Sequence, residues 1–331
     1  MNPLALLRKA LGRDHRELDM QPAPDGHDSG PFRPSPMVFT GCDETPLAAT
    51  LYWHQQPAAG ESVVLISPAI CSPRQLYAPL SLRLALNRPV IVYDHRCHNG
   101  NKGRFSIELM AEDLKAILSQ LQARGLKVGV VGHSLGGMLC GIACARGASM
   151  AGQILMAAPP SLVTTCRKVP HHSGQASIYL YNLIRAIRSP HYLRQLIERE
   201  LFFPWDFIRN PSLLALSPGD DQCWNDVLRE IWAAPGIAEY AETIRKSAMP
   251  TLFLWGSMDS THGLTRNGGN LPTHFRKYVE TVTRGNSSAS LEILPGLSHY
   301  FTKDKRSAVP IASDNTAAPE AIERFLNTIL D

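Results

Sequence analysis

Short runs of apolar residues without polar alternation punctuate the chain. Ser62–Ser67, Pro89–Asp94, Val128–Val131, Gln153–Ala158 and Thr251–Trp255 are the clearest. Runs of this length, bounded by Gly, Pro, Asn and Asp, fit strands buried on both faces. Between them the periodicity changes to that of helices. Ile107, Met110, Leu114, Ile117, Leu118 and Leu121 recur at helical spacing within Ser106–Ala123, and helices are also predicted over Gln75–Ala85, Met138–Ala145, Pro272–Val282 and Pro319–Leu330. Leu291–Leu294 is a last strand. Near the start, Met37-Val38-Phe39 and Leu47–Tyr52 flank the turn Gly41–Glu44 and read as a hairpin. Strands alternating with helices predict an α/β fold, with a mostly parallel sheet covered on both faces and the hairpin antiparallel at one edge.

Two stretches break the alternation. Residues 1–36 comprise a short amphipathic segment, Met1–Leu11, and a linker rich in Pro, Gly, Asp and His. Residues 161–245 carry no strand pattern but have helical periodicity and many aromatics, Trp205 among them, which predicts a helical insertion between two strands. The α/β core is then 37–160 together with 246–331.

Composition narrows the picture. At 331 residues and 44% apolar content the chain can bury a large core. A net charge of +4, without a dense Lys/Arg block, gives no reason to expect a nucleic-acid partner. No run has the roughly 18 apolar residues of a membrane span. The seven cysteines have no regular spacing, which reads as reduced thiols in a cytoplasmic protein. The N-terminal segment is read as docking on the protein's own surface, with a partner or a membrane surface as the other option.

Candidate chemistry sits at the third helix. Gly132-His133-Ser134-Leu135-Gly136 joins a buried strand to a helix, the setting in which Gly-x-Ser-x-Gly forms a nucleophile elbow. A serine hydroxyl needs an imidazole to take its proton and a carboxylate to orient that imidazole. Asp259 and His299 each follow a strand and should emerge at the same sheet edge as Ser134. A tetrahedral oxyanion needs two N–H donors. Leu135 supplies one, and the loop after Ser62–Ser67 the other, with Ala69 preferred and Ile70 next. His133 reads as structural, pointing away from the nucleophile, and is also carried as a candidate pocket residue with Ile70, Trp205 and Tyr300. His95 and His98 read as loop anchors.

With Gly256-Ser257-Met258-Asp259, Gly296-Leu297-Ser298-His299 and Asp94-His95-Arg96-Cys97-His98-Asn99-Gly100, these motifs resemble the α/β-hydrolase fold over about residues 37–331, outside the insertion. Within it the chain looks nearest to capped serine hydrolases of the monoacylglycerol-lipase and serine-aminopeptidase type. The resemblance implies a cap at 161–245, no metal and no organic cofactor. It implies a small-molecule acyl substrate, an ester or thioester, cleaved through an acyl-enzyme. Acyl transfer, cyclisation or peptide cleavage would use the same groups, and a non-catalytic binding homologue would keep the pocket. The chain departs from many relatives in having Ser67-Pro68 where His-Gly is common.

Overall fold

The computed structural model describes residues 34–70, 72–158, 244–245, 247–259, 279–280, 284–303 and 316–331. Eight strands form one sheet: β1 (Pro34–Thr40), β2 (Pro46–Tyr52), β3 (Ser62–Ser67), β4 (Val90–Tyr93), β5 (Lys127–His133), β6 (Gly152–Met156), β7 (Thr251–Gly256) and β8 (Ala289–Leu294), in the order β1-β2-β4-β3-β5-β6-β7-β8. From β4 to β8 all pairings are parallel, and β1 and β2 add an antiparallel edge, as the hairpin pattern predicts. The continuous apolar runs are the central strands. Every residue of β4, β6 and β7 is buried, whereas the edge strand β8 is mostly half-exposed.

Helices α1 (Ala78–Leu84), α2 (Ile107–Ala123), α3 (Leu135–Ala145) and α4 (Ala317–Leu330) cover the sheet. The helix expected over 75–85 is split. Arg74–Tyr77 forms a 3-10 turn and α1 begins at Ala78, with Pro79 in its first turn. A proline has no N–H to bond back, so the α-helix starts at it rather than running through it. Helix α2 buries the six apolar residues whose spacing predicts it. Helix α4 lies over β5, where Gly129 leaves room: a Cβ there would meet Leu326 and Leu330 methyls at 3.2 Å. Ser62 Oγ and Lys127 Nζ both donate to the Leu330 carbonyl, at 2.9 and 3.2 Å, and fix that helix end to the starts of β3 and β5.

The order fixes where a site can form. The chain runs from β3 to β4 on one side and then to β5 on the other, so the order reverses between β3 and β5. Loops leaving the carboxyl ends of strands at such a reversal enclose a crevice. The post-β3 loop and the Ser134 turn lie at that point.

The expectation of reduced thiols is corrected at one position. Cys42, Cys140 and Cys144 are free, but Cys97 is disulfide-bonded. Pairing depends on which loops the sheet brings together, and linear spacing does not record that. Residues 1–36, apart from the start of β1, fall outside the described residues. So do the helix expected over 272–282, apart from Val279 and Glu280, and the insertion expected over 161–245, apart from Ile244 and Arg245, with Trp205 inside it.

Candidate active site

Ser134 sits between β5 and α3 with φ 52° and ψ −115°. That left-handed region is costly for a residue with a Cβ, about 1–3 kcal/mol, and persists only where neighbours impose it. They do so here through the backbone: Ser134 N–H donates to the Met156 carbonyl of β6 at 2.8 Å, and its own carbonyl accepts from Met138 N–H at 3.1 Å. The strain aims the side chain out of the turn, where Ser134 remains 7% exposed. The turn fits only because its neighbours lack side chains. A Cβ on Gly136 would lie 2.0 Å from the Ser67 carbonyl oxygen and 2.5 Å from that of Pro68. The loop after β3 is therefore seated directly on the first turn of α3.

The loops after β7 and β8 are joined in the same way. Ser257 and Met258 N–H groups donate to the Leu294 and Leu297 carbonyls, each at 2.9 Å, and Gly296 N–H donates to Ser257 Oγ at 2.8 Å. A Cβ on Gly256 would meet the Leu297 oxygen at 2.3 Å. This contact brings Asp259 to His299: Asp259 Oδ2 lies 2.9 Å from His299 Nδ1. The Asp259 side chain is wholly buried and that of His299 is 11% exposed. His299 rides on a tight turn closed by Phe301 N–H to the Ser298 carbonyl at 3.0 Å, with Phe301 at φ 57°. A carboxylate on Nδ1 leaves Nε2 as the working nitrogen of the ring.

Two of the expected residues have their polar groups engaged inside the protein. The Ala69 N–H, the preferred second oxyanion donor, donates instead to the Tyr77 hydroxyl at 2.7 Å, and Ala69 is buried. His133, carried among the pocket residues, is wholly buried with both ring nitrogens bonded: Nδ1 to Tyr77 Oη at 2.8 Å and Nε2 to the His299 carbonyl at 2.9 Å. It is packed into the floor below the site, in keeping with the structural reading. Ile70 is half-buried beside Ala69, and Tyr300 is buried with its ring centroid 5.1 Å from that of His133. The N–H of Leu135, first residue of α3, has no intrahelical acceptor and carries the positive end of the helix dipole. Tyr77 is the residue sequence reasoning missed. Nothing in its own neighbourhood distinguishes it from a core aromatic.

The loop after β4 braces this arrangement. Arg96, itself buried, donates to both oxygens of the buried Asp113 on α2, from Nε at 2.7 Å and from a terminal nitrogen at 2.6 Å. It also reaches Asp43 of the β1–β2 turn at 2.9 Å and holds that carboxyl well below its usual range. Cys42, Asp43 and Asp113 place three ligand-type atoms within 4.8 Å of one another, but their carboxylates serve the Arg96 guanidinium, so the cluster is an arginine site rather than a cation site. Asp94 pairs with Arg74 and accepts from Asn99 at 2.8 Å. His95 and His98 are buried anchors, as expected, donating to the Pro68 and Arg96 carbonyls at 2.8 Å each.

A serine on a strained strand-to-helix turn and a buried His–Asp pair on two later loops lie on an eight-stranded, mostly parallel α/β sheet. The model of the Alpha/beta hydrolase family matches residues 63–309, and the chain belongs to that family. Over 90 residues it is 36% identical to "Putative carbamate hydrolase RutD" of Caulobacter segnis, covering 25% of this chain and 33% of that one. The chain thus spans about a third of the length of the curated relatives it matches. Among solved structures, an esterase of Pyrococcus furiosus superposes with a TM-score of 0.58 at 14% identity, covering 91% of this chain and 92% of that one. The enol-lactonase of Burkholderia xenovorans gives a TM-score of 0.57 at 16% identity, covering 88% and 100%. At these identities the likeness is one of fold. Among the described residues no helix is long and apolar enough to cross a membrane.

Proposed function

We propose that this chain is a serine hydrolase that cleaves a carboxylic ester or thioester of a small or medium apolar substrate. One observation carries the reading: the wholly buried Asp259 carboxylate set 2.9 Å from Nδ1 of His299, on loops that share a sheet edge with the strained Ser134 turn. Ser134 Oγ attacks the carbonyl carbon while His299 Nε2 takes the hydroxyl proton. Asp259 holds the ring with its Nδ1 proton inward and stabilises the imidazolium that forms. The oxyanion is held by the Leu135 N–H at the start of α3 and by a second N–H from the loop after β3. His299 then returns its proton to the leaving alcohol or thiol, which departs as the acyl-enzyme forms. Water attacks that ester by the same route and releases the acid.

The cap proposed for 161–245 and the kinship to the monoacylglycerol-lipase and serine-aminopeptidase type rest on the sequence motifs. A second reading has its own support. The Caulobacter relatives are named for carbamates, and the same groups would attack a carbamate carbonyl. A fluorophosphonate should label Ser134 and leave Ser134→Ala unlabelled. p-Nitrophenyl esters of graded length, acyl-thioesters and a carbamate, given to the same preparation, then rank the substrates. A folded wild-type chain that takes no label and turns over none of these probes is not a serine hydrolase.

A further inference from the structure

The Pro68 carbonyl and the Ala69 N–H belong to one peptide group, and that group is held at both ends. His95 Nε2 donates to the carbonyl at 2.8 Å, and the N–H donates to Tyr77 Oη at 2.7 Å. Tyr77 Oη continues to His133 Nδ1 at 2.8 Å, and His133 Nε2 to the His299 carbonyl at 2.9 Å. The proton positions along this chain follow from its ends. A carbonyl only accepts, so His133 carries a proton on Nε2, and in the neutral ring Nδ1 then offers a lone pair. The Tyr77 hydroxyl therefore donates to Nδ1 and accepts from Ala69. Burial pushes the Tyr77 phenol well above its ordinary range, so it keeps the proton that the chain requires.

The next peptide is oriented by this arrangement. Ser72 N–H donates to the Ala69 carbonyl at 3.2 Å, which closes a turn over residues 69–72. In such a turn the N–H of the second residue, here Ile70, takes no part in the closing bond. Among the described residues the Ile70 N–H has no acceptor, and Ile70 is half-buried where Ala69 is buried. The same loop rests on Gly136, one residue from the Leu135 donor.

We propose that the Ile70 N–H is the second oxyanion donor, and that Tyr77, His133 and His95 are positioning residues that aim it. They lock the Pro68–Ala69 peptide and tie it, beneath Ser134, to the backbone of His299. The proposal rests on the serine-hydrolase reading. In physical terms the loop that receives negative charge and the loop that carries the base are two ends of one buried hydrogen-bond chain.

Ile70→Pro tests it directly, because proline removes the N–H yet suits the second position of a turn. Ile70→Ala trims the side chain and keeps the donor, so the difference between the two variants isolates the N–H. With p-nitrophenyl butyrate, kcat of Ile70→Pro should fall about 10²–10³-fold below that of Ile70→Ala, with KM within about threefold. The maximal rate of fluorophosphonate labelling should fall in parallel, and circular dichroism should show both variants folded. If the proline variant does not fold, an amide-to-ester replacement at Ile70 removes the same hydrogen. Tyr77→Phe should lower kcat about 10–100-fold at similar KM, the scale of a misaimed catalytic group. Equal kcat in the two Ile70 variants, or Tyr77→Phe at the wild-type rate, overturns the proposal while the hydrolase reading stands. A wild-type chain that neither labels nor turns over overturns the hydrolase reading itself.

Discussion

Asp259 Oδ2 and His299 Nδ1 lie 2.9 Å apart although forty residues separate them in the chain. The pairing exists because the turns after β7 and β8 share backbone bonds and a close approach at Gly256. It leads to the first prediction. Asp259→Asn keeps the size of the side chain but reverses the ring tautomer, and should lower kcat about 10⁴-fold, as the equivalent change does in a protease triad. Ser134→Ala should cost about 10⁶-fold. Steady-state kinetics on an ester found in the substrate screen measure both. An Asp259→Asn variant within tenfold of wild type removes Asp259 from the mechanism.

Gly136 is where the loop after β3 meets helix α3. A Cβ placed 2.0 Å from the Ser67 oxygen must push that loop away. Gly136→Ala should lose about 1–3 kcal/mol of stability. On the proposed mechanism it should also lose about 10²-fold in kcat, since the displaced loop is the one assigned the second oxyanion donor. Thermal melts and kinetics on the same preparation separate the two effects. Unchanged values in both would mean that the loop is not seated as described.

Arg96 and Asp113 form a buried, bidentate pair. Arg96→Met leaves Asp113 buried without its cation and should destabilise the fold by about 3–5 kcal/mol. Arg96→Met with Asp113→Leu removes both charges and should recover much of that loss. Urea unfolding of the single and double variants checks the pair, and a double variant no better than the single refutes the argument.

Acid should weaken the fold through two histidines. Burial pushes His95 down to about 4 and His98 to about 3, the latter helped by the neighbouring His95 ring. An unfolded chain protonates its histidines near pH 6.5. Between pH 6.5 and these lower values the unfolded state binds more protons, so stability falls as pH falls. The slope is at most about 1.4 kcal/mol per pH unit for each ring. His98→Asn removes one titrating group and should flatten the dependence of the urea midpoint between pH 7 and 5. The same slope in both proteins would exclude His98 as a source.

The sequence pattern predicts the central sheet well, because a strand buried on both faces must be apolar at every position. β3 to β7 are legible for that reason, and the spacing along α2 for the equivalent helical one. The edge strand β8 is less so, since half-exposed positions loosen the demand, and the structure begins it two residues before the predicted Leu291. At the site, Ser134 is marked by its neighbours, Gly132 and Gly136, whose absence of side chains is a local necessity. The bond from the Ala69 N–H to Tyr77 is not legible, because an amide's partner is set by what packs over it, and Tyr77 arrives from the next helical turn. Its bond to His133 spans 56 residues. Cys97 is misread for the same reason: pairing depends on packing, which linear spacing does not encode.

Ser134 is held in a backbone conformation that glycine adopts freely. Ser134→Gly would relieve that strain and should melt at a higher temperature than Ser134→Ala, which keeps the Cβ and the strain with it. A search guided by thermal stability alone would therefore drift toward glycine at this turn. The fold does not need the serine for its own sake, and on the proposed mechanism heat resistance and turnover pull this one residue in opposite directions.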